Sequence, residues 1–178
     1  MTPAAGHTVR LGTALWRDVV VASARHAGLP GLAEYDGGLV LEAVCLTESS
    51  GNPRARHWDP EIDPNCVDDG DYEVHASYGL FQIEGLTALA LVGVSRDTRM
   101  DFTWLYRPLV NIALGTRVLV ESLEAFGGAD RSMAAALAAY NGGAWGARVS
   151  AAGRLNDQAY VDRVLINAAR VAVDRHAG

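Results

Sequence analysis

The apolar stretch from Leu39 to Leu46 leads to an acid, Glu48, and then to Ser49, Ser50, Gly51, Asn52 and Pro53. Proline lacks the amide donor and drives the preceding residue out of helical geometry, and glycine favours turns, so a hydrophobic helix is expected to break just past the carboxyl. At helical spacing Leu41, Val44 and Cys45 lie seven, four and three residues before Glu48, which puts its carboxyl on the apolar face. A carboxyl with apolar neighbours loses hydration in its charged form. Its pKa is therefore expected to rise, leaving it protonated near neutral pH as a general acid must be. Taken alone, the pattern equally suits an ordinary residue in the last turn of a helix.

A chain of 178 residues, 49% hydrophobic and 20% charged, has the size and composition of one globular domain, expected to span residues 1–178. The formal net charge is -6, and outside an acidic stretch from Asp59 to Glu73 the two signs are interspersed. No basic stripe suits phosphate backbones, which argues against nucleic acid as a partner. The first residues, Met1-Thr2-Pro3-Ala4-Ala5-Gly6-His7, lack the basic and apolar regions of a secretory signal, and no apolar run is long enough to cross a bilayer. Any export is expected to use another route or to have left a processed piece. Cys45 and Cys66 lack the paired spacing of a zinc site, and two free thiols, Cys45 in the core, are expected rather than a bond tying the acidic loop to the Glu48 helix.

Helical periodicity over Val9 to His26, stopped by Gly28-Leu29-Pro30, predicts a first helix, and Gly37-Gly38 precedes a second over Leu39 to Glu48. From Gly51 to Asp71 the chain is polar and without period, as in a long surface loop walling a cleft. Leu86 to Val92 suits a short helix, and Pro108 to Phe126 a longer one with proline in its first turn and Gly127-Gly128 past its end. Asp130 is the expected N-cap of an alanine-rich helix to Tyr140, closed by Asn141-Gly142-Gly143. A last helix begins near Asn156 or Asp157 and carries Tyr160, Val161, Val164, Leu165 and Ala168 along one face. A short hairpin near Val74 to Ile83 is the one strand signal, so a mainly α domain is predicted.

Four elements carry chemistry when taken in order: Glu48-Ser49 at its turn, Gly79-Leu80-Phe81-Gln82-Ile83, Asn111-Ile112 with Gly115, and Ala139-Tyr140-Asn141-Gly142-Gly143. This series resembles the lysozyme-like family that includes goose-type lysozymes and soluble lytic transglycosylases, in which an E-S turn precedes G-L-M-Q-[IV], N-I-x-x-G and A-Y-N-x-G. Several short motifs in a fixed order are far more specific than one. The resemblance implies a lysozyme-like fold, mainly helical with at most a small hairpin and a cleft between its helical parts. It also implies cleavage of the β-1,4 bond between N-acetylmuramic acid and N-acetylglucosamine in peptidoglycan glycan strands, without a cofactor or metal.

On that resemblance Glu48 is the catalytic acid that protonates the glycosidic oxygen as an oxocarbenium-like transition state forms. Gln82, Tyr140 and Asn141 would line the saccharide cleft, their amide and phenol groups matched to sugar hydroxyl and acetamido groups, with Ser77 and His57 as further substrate-binding candidates. Each also suits a plainer role: Gln82 an exposed loop residue, Tyr140 a core aromatic, Asn141 a left-handed helix stop, Asn111 a structural hydrogen-bonding residue. Glu84 and Glu73 match, glutamate for aspartate, two acids that goose-type lysozymes carry around this motif to position water. Transglycosylases often have an uncharged residue at the position of Glu84, which tilts the expectation toward hydrolysis. The alternative is attack by the substrate's own C6 hydroxyl, leaving a 1,6-anhydro end.

Departures from the family pattern are Phe81 for methionine and His57 where transglycosylases carry a serine nine residues after the acid. Asp59, Glu61, Asp63, Asp68, Asp69 and Asp71 are dense enough to suggest calcium, but Asp-Asp-Gly-Asp is not a full calcium loop, and a solvated acidic loop is expected. His57, His75 and Cys66 follow no recognised zinc spacing. A wall-degrading enzyme without an export signal fits a phage endolysin or a virion lysin, as well as a processed secreted enzyme, and a monomer is the default. A non-catalytic peptidoglycan-binding or tail module of the same fold is the reading from a different class.

Overall fold

The structure, a computed structural model, describes residues 12–58, 72–98, 100–130 and 132–177. The acidic loop from Asp59 to Asp71, Cys66 with its expected free thiol, the suggested calcium and zinc ligands there, and the N-terminal stretch up to Leu11 lie outside the described residues.

The described residues form seven α-helices and a small sheet, in agreement with the mainly α, lysozyme-like class. A 3-10 turn, Gly12–Leu15, precedes α1 (Arg17–His26), so the first helix starts later than the periodicity suggested, and α2 covers Gly37–Ser49. Asp36 caps α2, its carboxylate accepting from the Leu39 amide at 2.8 Å, and Ser50 ends it in the left-handed conformation at φ 55. Between these ends Val40 through Leu46 are all buried, because α1 and α7 pack against α2 along its length. A helix apolar on nearly every side belongs in the interior.

The stretch expected to be one long loop contains a strand, β1 (Arg56–His57). It pairs antiparallel with β2 (Ser77–Tyr78), which pairs with β3 (Ile83–Glu84), giving a sheet in the order β1-β2-β3. The predicted hairpin is therefore two strands of three, and Val74 belongs to the four-residue helix α3 (Tyr72–His75) instead. Helix α4 (Gly85–Val92) follows β3 directly, then a 3-10 helix Phe102–Tyr106, then α5 (Pro108–Phe126) with the predicted bounds.

One detail of α6 (Met133–Gly146) corrects the sequence expectation. Its N-cap is Ser132, not Asp130: the Ser132 amide still bonds back to the Gly127 carbonyl at 2.8 Å, so the chain is turning when it passes Asp130, and the Ser132 hydroxyl accepts from Ala135. Asn141-Gly142-Gly143 does end the first run of helix, as the sequence suggests. Gly143 takes φ 56 and ψ -153, a conformation suited to glycine alone, and makes a break across which helical turns continue to Gly146. Helix α7 (Gln158–Ala177) begins where expected and buries Tyr160, Val161, Val164 and Ala168.

Asn111, in the first turns of α5, ties the helical part to the sheet and is fully buried. Its side-chain oxygen accepts from the Phe81 amide at 2.7 Å, and its nitrogen donates to the Tyr78 and Leu105 carbonyls at 2.8 and 2.9 Å. One turn on, Gly115 leaves room for the Phe81 ring, where a Cβ would stand 2.4 Å from Phe81 Cγ. Asn111→Ala removes three hydrogen bonds to buried backbone groups and is expected to lower stability by about 3 kcal/mol, read as a reduced urea midpoint at unchanged slope.

Candidate active site

A cleft of about 770 Å³ runs between the sheet and the helices, and the end of α2 forms part of its wall with Glu48, Ser49 and Ser50. The opposite wall follows from strand register. His57 pairs with Ser77, and Ser77 with Glu84, so these three side chains form one row across the sheet, and all of them line the cleft. Gln82 lies on the turn before β3, while Tyr140 and Asn141 come from α6. The fold thus brings together every candidate from the sequence except Glu73, which lies in α3 with its side chain outside the described residues.

Glu48 is half-hidden at the end of a buried helix, and Tyr160 of α7 donates its hydroxyl to Glu48 Oε1 at 2.5 Å. Burial pushes the Glu48 carboxyl up to about 7, against the opposing pull of that hydrogen bond and of the positive Arg163. Arg163 stacks over the Tyr160 ring, 5.5 Å from its centroid, and the Tyr160 and Tyr140 rings stack with centroids 6.4 Å apart. Burial first, and then the nearby Glu48, raise both phenols well above their ordinary range, so both stay neutral donors. Burial pushes the Cys45 thiol up to about 12 and leaves it inert.

Much of the polar lining is anchored to backbone. The Ser49 hydroxyl donates to the Leu80 carbonyl at 2.8 Å, and the Tyr140 hydroxyl to the Phe81 carbonyl at 2.7 Å. The Gln82 amide donates to the Gly79 and Ala55 carbonyls at 2.8 and 3.2 Å. These bonds hold the Gly79 to Gln82 turn, in which Gln82 adopts a left-handed φ of 47 that a non-glycine residue keeps only when its surroundings impose it. Asn141 is exposed and donates to Asp157 at 2.6 Å; its helical backbone excludes the left-handed stop. Glu84 sits in a wetter place, its side chain 40% exposed, with Thr87 donating to one oxygen at 3.3 Å and His75 3.6 Å from the other.

A model of the transglycosylase SLT domain matches residues 38–159, more than half of the chain and all four motif elements. The chain belongs to this family. It is a lysozyme-like enzyme acting on peptidoglycan. A comparison with curated proteins returned no match.

Sequence reasoning missed the Tyr160 hydroxyl that donates to Glu48. Tyr160 was assigned to the apolar face of α7; the signal available was a phenol among Val161, Val164 and Ala168. His75 and Thr87, also in the cleft, had no motif to announce them. Because the folded-state value of Glu48 lies above its ordinary 4.5, its contribution to stability is full below pH 4.5 and is lost as pH rises through about 7. Glu48→Gln is therefore expected to unfold at higher temperature than the parent at pH 8, by roughly 2–3 kcal/mol, with the gap closing toward pH 4.5 in calorimetric scans.

Proposed function

We propose that the chain is a lytic transglycosylase that cleaves the bond between N-acetylmuramic acid and N-acetylglucosamine, with Glu48 serving in turn as acid and base. The observation that carries this is a single carboxyl, buried enough to hold its proton near neutral pH, opening on a cleft large enough for saccharide. Glu48 gives its proton to the glycosidic oxygen, and the bond to the muramic C1 breaks with departure of the N-acetylglucosamine 4-hydroxyl. The C6 hydroxyl of the same muramic residue then attacks C1, and its proton passes to the Glu48 carboxylate. The ring closes as a 1,6-anhydro sugar and the acid is regenerated, so no second carboxylate is needed.

Tyr160 acts through Glu48, holding Oε1 so that the other oxygen faces the cleft. Gln82, Tyr140 and Asn141 line the walls for acetamido and hydroxyl groups, with Ser77 and His57 opposite. The place of action is the bacterial cell wall, where the polymer is. Hydrolysis is the second reading, and Glu84 favours it, since the row His57, Ser77, Glu84 sets a carboxylate in the same cleft where it can hold a water.

Mass spectrometry of digested peptidoglycan decides between them. Ends lighter by one water, and a loss on the order of a thousandfold in Glu48→Gln with binding kept, are the expected outcome. Hydrated reducing ends that disappear in Glu84→Gln would transfer the conclusion to hydrolysis, and wall lysis unaffected by Glu48→Gln would end both. Activity is expected to fall as pH rises through about 7. Tyr160→Phe removes a bond that favours the ionised carboxylate, so its alkaline limb should move to higher pH in the rate profile.

A further inference from the structure

Trp16, Trp58 and Trp104 pack against the core with buried indole nitrogens, but the fourth tryptophan, Trp145, is 61% exposed. A lone exposed apolar side chain is ordinary, but a large aromatic beside a cleft wall offers a flat face on which a ring can stack. Trp145 lies on α6 beyond the Gly143 break. A Cβ on Gly142 would stand 3.7 Å from Trp145 Cε3 and 3.3 Å from Asp157 Oδ2, and Asp157 accepts the Asn141 side chain at 2.6 Å. Indole, Gly142, Asp157 and Asn141 therefore form one continuous surface, and Asn141 is already part of the cleft wall. The backbone beneath the indole is held by Asn156, which donates to the Trp145 carbonyl at 3.0 Å.

We propose that Trp145 is a stacking platform for a further sugar ring of the glycan strand, one outside the pair that flanks the broken bond, extending the cleft past Asn141. This rests on the proposed function and adds a subsite to it. A β-linked pyranose presents C–H groups on its faces and hydroxyl or acetamido groups at its rim. The negative face of an indole meets the first, and the Asn141 and Asp157 side chains beside it meet the second.

The test uses Glu48→Gln, which leaves strands intact, titrated with long peptide-free glycan strands while tryptophan emission is followed. A saturable change that is lost in Glu48→Gln/Trp145→Phe is expected. In the active enzyme Trp145→Ala should raise KM for long strands about five- to tenfold with kcat unchanged, Trp145→Tyr should restore most of the loss, and the shortest oligosaccharide cleaved should show no effect. An emission change that survives loss of Trp145, a KM indifferent to the substitution, or a dimer dispersed by Trp145→Ala in sedimentation would each overturn the platform. An enzyme inert toward all peptidoglycan would overturn the proposed function instead, and the emission titration would still report on the platform.

Discussion

A carboxyl at the end of a helix that is buried on nearly every side is left with the cleft as its way to water, and the site depends on that constraint. α2 is enclosed by α1 and α7, and Glu48 is its last residue but one before the chain escapes through Ser50. Two influences compete there. Loss of hydration favours the neutral acid, whereas the Tyr160 hydroxyl and the Arg163 charge favour the anion, and burial wins. The outcome is an acid poised near neutrality, able to give up a proton and recover it.

The second constraint is the Gly79 to Gln82 turn, which faces that acid. Four side chains from separate parts of the chain end on its backbone or on carbonyls beside it: Ser49 on Leu80, Asn111 on Tyr78 and Phe81, Tyr140 on Phe81, and Gln82 on Gly79 and Ala55. Motif residues that suggested sugar contacts are thus also the scaffold of the cleft. Buried backbone groups need partners, and these side chains supply them at the point where no regular ladder can. The plainer role anticipated for Asn111 is the one it has.

Distance along the chain decided what was legible. α4, α5 and α7 were evident because amphipathic periodicity and proline or glycine at an end are local signals. β1 was not, because two polar residues become a strand only when β2 arrives beside them. Asp130 and Ser132 are both good cap types, and only the bond from Ser132 back to Gly127 chose between them. Nothing in the sequence marked Glu42, which is fully buried yet accepts from Thr13, Arg17 and Arg175, with Arg17 also held by Asp174. That cluster joins the first turn of the described chain to its last helix and offsets the cost of burying a charge by surrounding it with donors.

By itself, the sequence determined the helical class and the family and singled out Glu48 as the candidate acid, since each rests on periodicity or on short motifs whose meaning travels with the residues. Tertiary structure alone decided the environment of that acid: which phenol donates to it, which cation lies behind, and which strand row faces it. Tyr160 and Arg163 come from more than a hundred residues beyond Glu48, and no local rule of backbone geometry specifies which distant side chain will arrive.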